Sequence, residues 1–192
     1  MQNEKYDIFF NLINRFVGCY SQDAARESRN DPDCEYPFVA MDTRQVFAQM
    51  AFVSTFLKLD QDNPAIPPPR LLDVGCGIGN VLLIAEQFGF DVHGVEKDEY
   101  PFRVAIRLLG DKRVTQADIW TYEGYVDNEV IYYYRPFSGR EQQLRFERLI
   151  EDKMKTGAIL IANHKNSEAI SKDQRFEKLS PTLPIWRKNR AL

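Results

Sequence analysis

The chain is poor in cysteine, in histidine and in long apolar runs. Three cysteines among 192 residues, Cys19, Cys34 and Cys76, are too few and too scattered for a disulfide framework. No Cys-x-x-Cys pair or Cys/His cluster has zinc-ligand spacing, so reduced thiols and no structural metal are expected. Of the two histidines, His93 sits inside a strand-like run and His164 at the end of another. Neither has a recognisable partner, and both read as structural. The longest purely apolar runs, such as VLLIA at 81–85, fall far short of the ~18 residues that span a bilayer. The opening MQNEKYDIFFN carries acids and no apolar stretch before a small-residue cleavage site, so no secretory signal is expected and a cytoplasmic setting follows.

What is present is the composition of an ordinary globular protein, 44% hydrophobic and 28% charged, at a length that suits one domain. The net charge of -3 hides an asymmetry. Residues 1–130 hold 12 Lys/Arg against 21 Asp/Glu, net -9, whereas residues 131–192 hold 13 against 7, net +6. A basic C-terminal third faces an acidic substrate or is a solvated mixed surface; it does not indicate a nucleic-acid partner.

Phe9, Leu12, Ile13, Phe16 and Val17 recur at helical spacing, as do Val46, Met50, Val53 and Leu57. Two N-terminal helices are predicted, forming a helical cap over residues 1–60. The polar, proline-containing stretch between them, 21–38, reads as a loop. The connector QDNPAIPPPR, 61–70, ends the second helix, because proline rings do not continue one. The remainder, 61–192, alternates strand-like runs (70–75, 91–96, 113–118, 129–135, 158–163) with helical ones (81–88, a stretch opened by Pro101, and a face through Phe146, Ile150 and Met154). That alternation predicts an α/β fold: a single doubly wound, mostly parallel sheet with helices on both faces, in one structural domain overall.

The segment LLDVGCGIGN places Gly75, Gly77 and Gly79 between a buried strand and a helix, where backbone N–H groups can approach a polar or anionic ligand. A second strand ends at Glu96, 21 residues beyond Gly75, where a carboxylate can accept from both ribose hydroxyls. The pattern predicts a nucleoside-containing cofactor. A dinucleotide fingerprint wants a small residue at position 80, which is Asn80, and no Gly-Lys-Ser/Thr follows to make a Walker loop.

Asp73, Gly75, Gly77 and Gly79 match, residue by residue, the first motif of the class I S-adenosylmethionine-dependent methyltransferases, which this sequence resembles. The resemblance runs through most of residues 70–165. It implies a Rossmann-like methyltransferase fold and S-adenosylmethionine as cofactor. It implies that Asp73 opposes the ammonium, that Glu96 holds the ribose diol, and that Asp118 and Ile119 contact the adenine. Cys76, Asn80, Lys97 and Tyr134 complete the cofactor set. For Asp118 the alternative is a turn cap, and for Glu96 a surface acid beside Lys97. Cys76 reads as a small filler rather than a nucleophile.

Members of the family that methylate amines show Asn/Asp-Pro-Pro-Tyr/Phe after the fourth strand. Here the aligned residues are Tyr134, Arg135, Pro136 and Phe137, so the amine-hydrogen acceptor is missing and no catalytic residue is assigned. Four substrate-side candidates remain. Arg135 recognises a carboxylate or phosphate, or is a solvated arginine; Phe137 retains the family's aromatic position. Tyr36 and Phe38 form an aromatic lid over the acceptor or a hydrophobic staple for the helix that follows. Three functions stand open: a methyltransferase acting on a small molecule or a protein, a non-catalytic S-adenosylmethionine-binding protein on the same fold, and, disfavoured by Asn80, a nicotinamide-dependent oxidoreductase.

Overall fold

A computed structural model describes residues 2–29, 31, 33–59 and 67–189. Two long helices, α1 (Gln2–Arg26) and α2 (Thr43–Leu57), precede β1 (Arg70–Val74), α3 (Asn80–Glu86), β2 (Asp91–Glu96), α4 (Glu99–Leu109), β3 (Val114–Gln116), β4 (Val130–Tyr134), α5 (Arg140–Lys153), β5 (Ile159–Asn163), β6 (Phe176–Lys178) and β7 (Ile185–Lys188). The seven strands form one sheet in the order β3-β2-β1-β4-β5-β7-β6. Strands β1 to β5 are parallel; β7 runs antiparallel to both of its neighbours.

Strand period decides which face each residue serves. In β1, β4 and β5, Leu71, Val130, Tyr132, Ile159 and Ile161 join one buried cluster, while Leu72, Val74, Ile131, Tyr133, Leu160 and Ala162 join the other. The first cluster also takes Ile13 of α1, Met50 of α2, Ile84 of α3 and Ala105 of α4; the second takes Phe146 and Ile150 of α5. Helices therefore cover both faces, four on one and one on the other. The N-terminal cap shares its apolar residues with the sheet instead of closing a core of its own. The proposed boundary at 60/61 and most of the proline connector lie outside the described residues. No helix among the described residues is long and apolar enough to cross a membrane.

One sequence expectation changes. Helix α1 runs on to Arg26, six residues into the expected loop, because Ala24 is fully buried and rewards the extra turn. Between β3 and β4, where the sequence pattern shows no helix, there is a 3-10 turn at Gly124–Asp127. The edge strands β6 and β7, of three and four residues, are too short for alternation to register.

β7 nevertheless does structural work through Lys188. Its ammonium is buried and donates to the carbonyls of Glu151 (2.7 Å), Asp152 (3.0 Å) and Met154 (2.8 Å), the otherwise orphaned acceptors at the C-terminal end of α5. Lys188→Met strips these carbonyls of their donor, and a loss of about 2–3 kcal/mol is expected in urea unfolding.

Candidate functional site

In an open parallel sheet, ligands bind beyond the carboxyl ends of the strands where the strand order reverses. Here that point is β1, flanked by β2 and β4. A cavity of about 380 Å³ opens there. Of the expected cofactor residues, Asp73, Gly75, Cys76, Gly77, Asn80, Glu96, Lys97, Asp118, Ile119 and Tyr134 line it, as do all four substrate-side candidates, Tyr36, Phe38, Arg135 and Phe137. Gly79 does not: it is the N-cap of α3, turned toward Leu109 and Ala105 of α4.

The glycine loop leaves β1 with Gly75, Gly77 and Gly79 all at positive φ (77°, 53° and 84°). Its amides are largely consumed within the protein, contrary to the expectation that they await a ligand. Gly75 and Cys76 N–H donate to the Val95 carbonyl, and Gly79 N–H donates to that of Cys76. Gly77 N–H donates to Glu96 Oε2 at 2.9 Å, while Asp98 N–H donates to Glu96 Oε1 at 2.9 Å. Glu96 is thus a buried brace on the loop, not a surface acid, and each oxygen, accepting one bond, keeps capacity for another. Gly94 in β2, which the sequence reading passed over, makes the close packing possible. A Cβ there would lie 2.6 Å from Cys76 Sγ and 2.7 Å from Leu82 Cδ1. Cys76 fills that space; burial pushes its thiol well above the usual range, which suits a filler and not a nucleophile.

Three buried polar atoms on the cavity residues have no partner: Asp73 Oδ2, Asn80 Nδ2 and Tyr132 Oη. Burial, then the charge of Glu96, pushes the Asp73 carboxyl well above the ordinary aspartate range. Glu96 is likewise raised, by burial first, against the backbone hydrogen bonds from Asp98, Gly77 and Lys97 that lower it. These are acids short of a cation. Lys97 does not supply it, because its ammonium pairs with Glu35.

At the β3 end Asp118 accepts from Trp120 N–H at 2.8 Å, so its side chain caps a turn at the rim. Across the cavity, the segment before α2 forms a wall. Glu35 bridges Phe137, Tyr36 N–H donates to the Pro136 carbonyl, and Arg135 stacks over the Tyr36 ring at 5.3 Å. Phe38 lies on the glycine loop, 2.3 Å from where a Cβ on Gly77 would stand. The staple positions around α2 belong instead to Met41 and Val46, both buried, flanking the N-cap Asp42. Tyr36 and Phe38 are cavity wall. Phe137 packs on Trp120 (5.2 Å) and Phe146 (5.8 Å), joining core to cavity. His93 stays away, bonded to Thr115, whereas His164 lines the cavity with its ring edge-on to Tyr134 at 5.3 Å. Periodicity carries no sign of this, because its position depends on a loop turning back over the sheet. Among the described residues no group of three or more His, Cys, Asp or Glu is placed to hold a metal.

A carboxyl whose folded pKa is raised costs stability when ionised, a cost that disappears as pH falls through the folded value. Asp73→Asn is therefore expected to raise the melting temperature of the ligand-free protein at pH 7, with the gain shrinking at pH 4, read by thermal unfolding at both pH values.

No family model matches the chain, and no curated protein matches it in sequence. Solved structures do. An RNA methyltransferase from Salinibacter ruber, in complex with S-adenosyl-L-homocysteine, aligns with a TM-score of 0.55 at 14% identity over 80% of this chain and 96% of that one. TehB from Haemophilus influenzae aligns with a TM-score of 0.51 at 14% identity over 69% and 51%. DesVI from Streptomyces venezuelae aligns at 0.47 and 17% identity over 62% and 51%. The chain spans about half the length of DesVI and TehB, 51% in each case. Its fold is the Rossmann-like α/β fold shared with the Salinibacter ruber RNA methyltransferase and with TehB.

Proposed function

We propose that the protein is an S-adenosylmethionine-dependent methyltransferase, acting in the cytoplasm on a small-molecule or protein acceptor. The observation that carries this is the unpartnered, buried carboxylate oxygen of Asp73 at the switch point, close to the buried Glu96. A ligand fits if it brings a cation or ammonium to Asp73 and hydroxyls to Glu96, and S-adenosylmethionine has both. Asn80 Nδ2 is a spare donor for its carboxylate end. Ile119 and Trp120 supply apolar surface for the adenine at the β3 end, with Asp118 at the rim. Lys97 contributes through its pairing with Glu35, holding the opposite wall to β2. When bound, the cofactor supplies an electrophilic methyl group on sulfur. The chain's own task is to hold an acceptor in line with that group and to exclude water, which the aromatic wall of Tyr36, Phe38, Tyr134 and Phe137 is built to do.

The non-catalytic reading shares every cofactor residue and differs in turnover alone. Calorimetry is expected to detect S-adenosylhomocysteine and S-adenosylmethionine but not NAD; tighter binding of NAD would overturn the reading. Gly77→Val places a side chain against Phe38 in a left-handed backbone and is expected to abolish binding in a protein that still folds, as checked by circular dichroism. Glu96→Ala is expected to weaken S-adenosylmethionine by at least about tenfold, or about 1.4 kcal/mol. It is also expected to lower stability by about 1–3 kcal/mol, since Gly77 and Asp98 N–H lose their acceptor. Affinity within twofold of wild type would place the ribose elsewhere.

A further inference from the structure

We propose that His164 is the general base of the site and that the acceptor is a planar, anionic molecule bearing a phenol-type hydroxyl. This rests on the methyltransferase reading above and deepens it. His164 follows β5 directly, with a φ of 53°. A β-carbon-bearing residue held in the left-handed region costs energy and persists only where its surroundings over-determine it. They do so on both sides. Before it, Asn163 is buried and tied to Gln49 of α2 (2.7 Å) and to the Tyr133 carbonyl (3.3 Å). After it, three consecutive residues are held by the buried Glu147 of α5: Lys165 Nζ at 2.7 Å, Asn166 N–H at 2.6 Å and Ser167 N–H at 2.9 Å. Lys165 also pairs with Glu151 at 2.6 Å. Two buried polar networks hold one strained histidine, whose exposed ring faces the cavity beside Tyr134.

The other titratable groups on the cavity are committed. Asp73 and Glu96 stand at the ends of β1 and β2, on the cofactor half. Asp98 accepts from Ser28 and Arg29, Asp118 caps Trp120, and Glu35 and Lys97 pair with each other. Cys76 and Tyr132 are buried, and the Tyr36 ring lies under the Arg135 guanidinium. Around His164 itself the titratable or charged neighbours are Tyr134, Arg135 and Lys165, the last consumed by Glu147 and Glu151.

The substrate class follows from what surrounds the base. Tyr134 and Asn163 are register partners on parallel strands, so Arg135 and His164 emerge side by side at the acceptor end. Arg135 is half-buried and donates through Nε to the Phe137 carbonyl at 3.3 Å. Among the described residues its two terminal nitrogens have no hydrogen bond or ion pair, and they form a fork suited to a carboxylate or phosphate. Tyr36, Phe38, Tyr134 and Phe137 favour a flat ring between them. A neutral amine attacks without a base, whereas a hydroxyl needs one, and imidazole is matched to an acidic hydroxyl such as a phenol better than to an alcohol. As the acceptor oxygen bonds to the methyl carbon, the carbon–sulfur bond breaks with its pair going to sulfur. The hydroxyl proton passes to the His164 ring and from there to solvent.

The test uses 3,4-dihydroxybenzoate, with catechol as the probe lacking the anion. In calorimetry on protein saturated with S-adenosylhomocysteine, dihydroxybenzoate is expected to bind at least about tenfold tighter than catechol, and Arg135→Gln to erase the difference. In turnover with S-adenosylmethionine, His164→Asn, which tolerates the left-handed backbone, is expected to lower kcat by at least about a hundredfold. Its KM and its affinity for S-adenosylhomocysteine stay within twofold of wild type. Failure of dihydroxybenzoate to bind or be methylated by protein that binds S-adenosylhomocysteine overturns the proposal alone. So does a His164→Asn variant that keeps a kcat within threefold. Absence of S-adenosylhomocysteine binding overturns the cofactor reading and this proposal with it.

Discussion

The Glu96 carboxylate, accepting from Gly77 N–H in the glycine loop and from Asp98 N–H just beyond β2, braces the loop against the end of β2. It acts together with the Gly75 and Cys76 N–H groups, which both donate to the Val95 carbonyl of β2. The interaction is costly, because Glu96 and Asp73 are both buried acids at adjacent strand ends, each pushed up by burial. The fold tolerates that cost at a place where a cationic, hydroxyl-bearing ligand would relieve it. Buried carboxylates without counter-charges are rare in cores, and their concentration at a switch point separates this end of the sheet from the apolar remainder.

The other half of the cavity is stiffened differently. Glu147, 1% exposed, gathers Gln143, Lys165, Asn166 and Ser167, and Gln143 also accepts from Phe137 N–H. One carboxylate in α5 therefore anchors both the turn after β5 and the turn after β4. Gln49 of α2 binds Asn163, the last residue of β5, from the opposite face of the sheet. The N-terminal helices are thus part of the site's support, besides contributing Ile13, Val46 and Met50 to the core.

The strands β1 to β5 and their helices were legible because each carries a local pattern. Short apolar runs bounded by glycine and proline, helical spacing at Phe102, Ala105 and Ile106, and the spacing from Gly75 to Glu96 are properties of neighbouring residues. The edge strands were not legible, since Phe176–Lys178 and Ile185–Lys188 are too short to alternate convincingly and are strands only because β5 offers an unpaired edge. Gly94 was passed over because its need for no side chain arises from Cys76 and Leu82, brought against it by the loop and α3.

The sequence by itself determined the order of the elements through β5, the acids at the ends of β1 and β2, and the glycine-rich loop that follows β1, because those depend on chemistry within about twenty residues along the chain. Only the tertiary structure decided that Glu96 braces Gly77, that Phe38 lies on that glycine while Met41 takes the staple position, that Lys97 is paired with Glu35, and that His164 turns into the cavity. Each of these depends on which atoms of separate elements meet, and local periodicity holds no record of that.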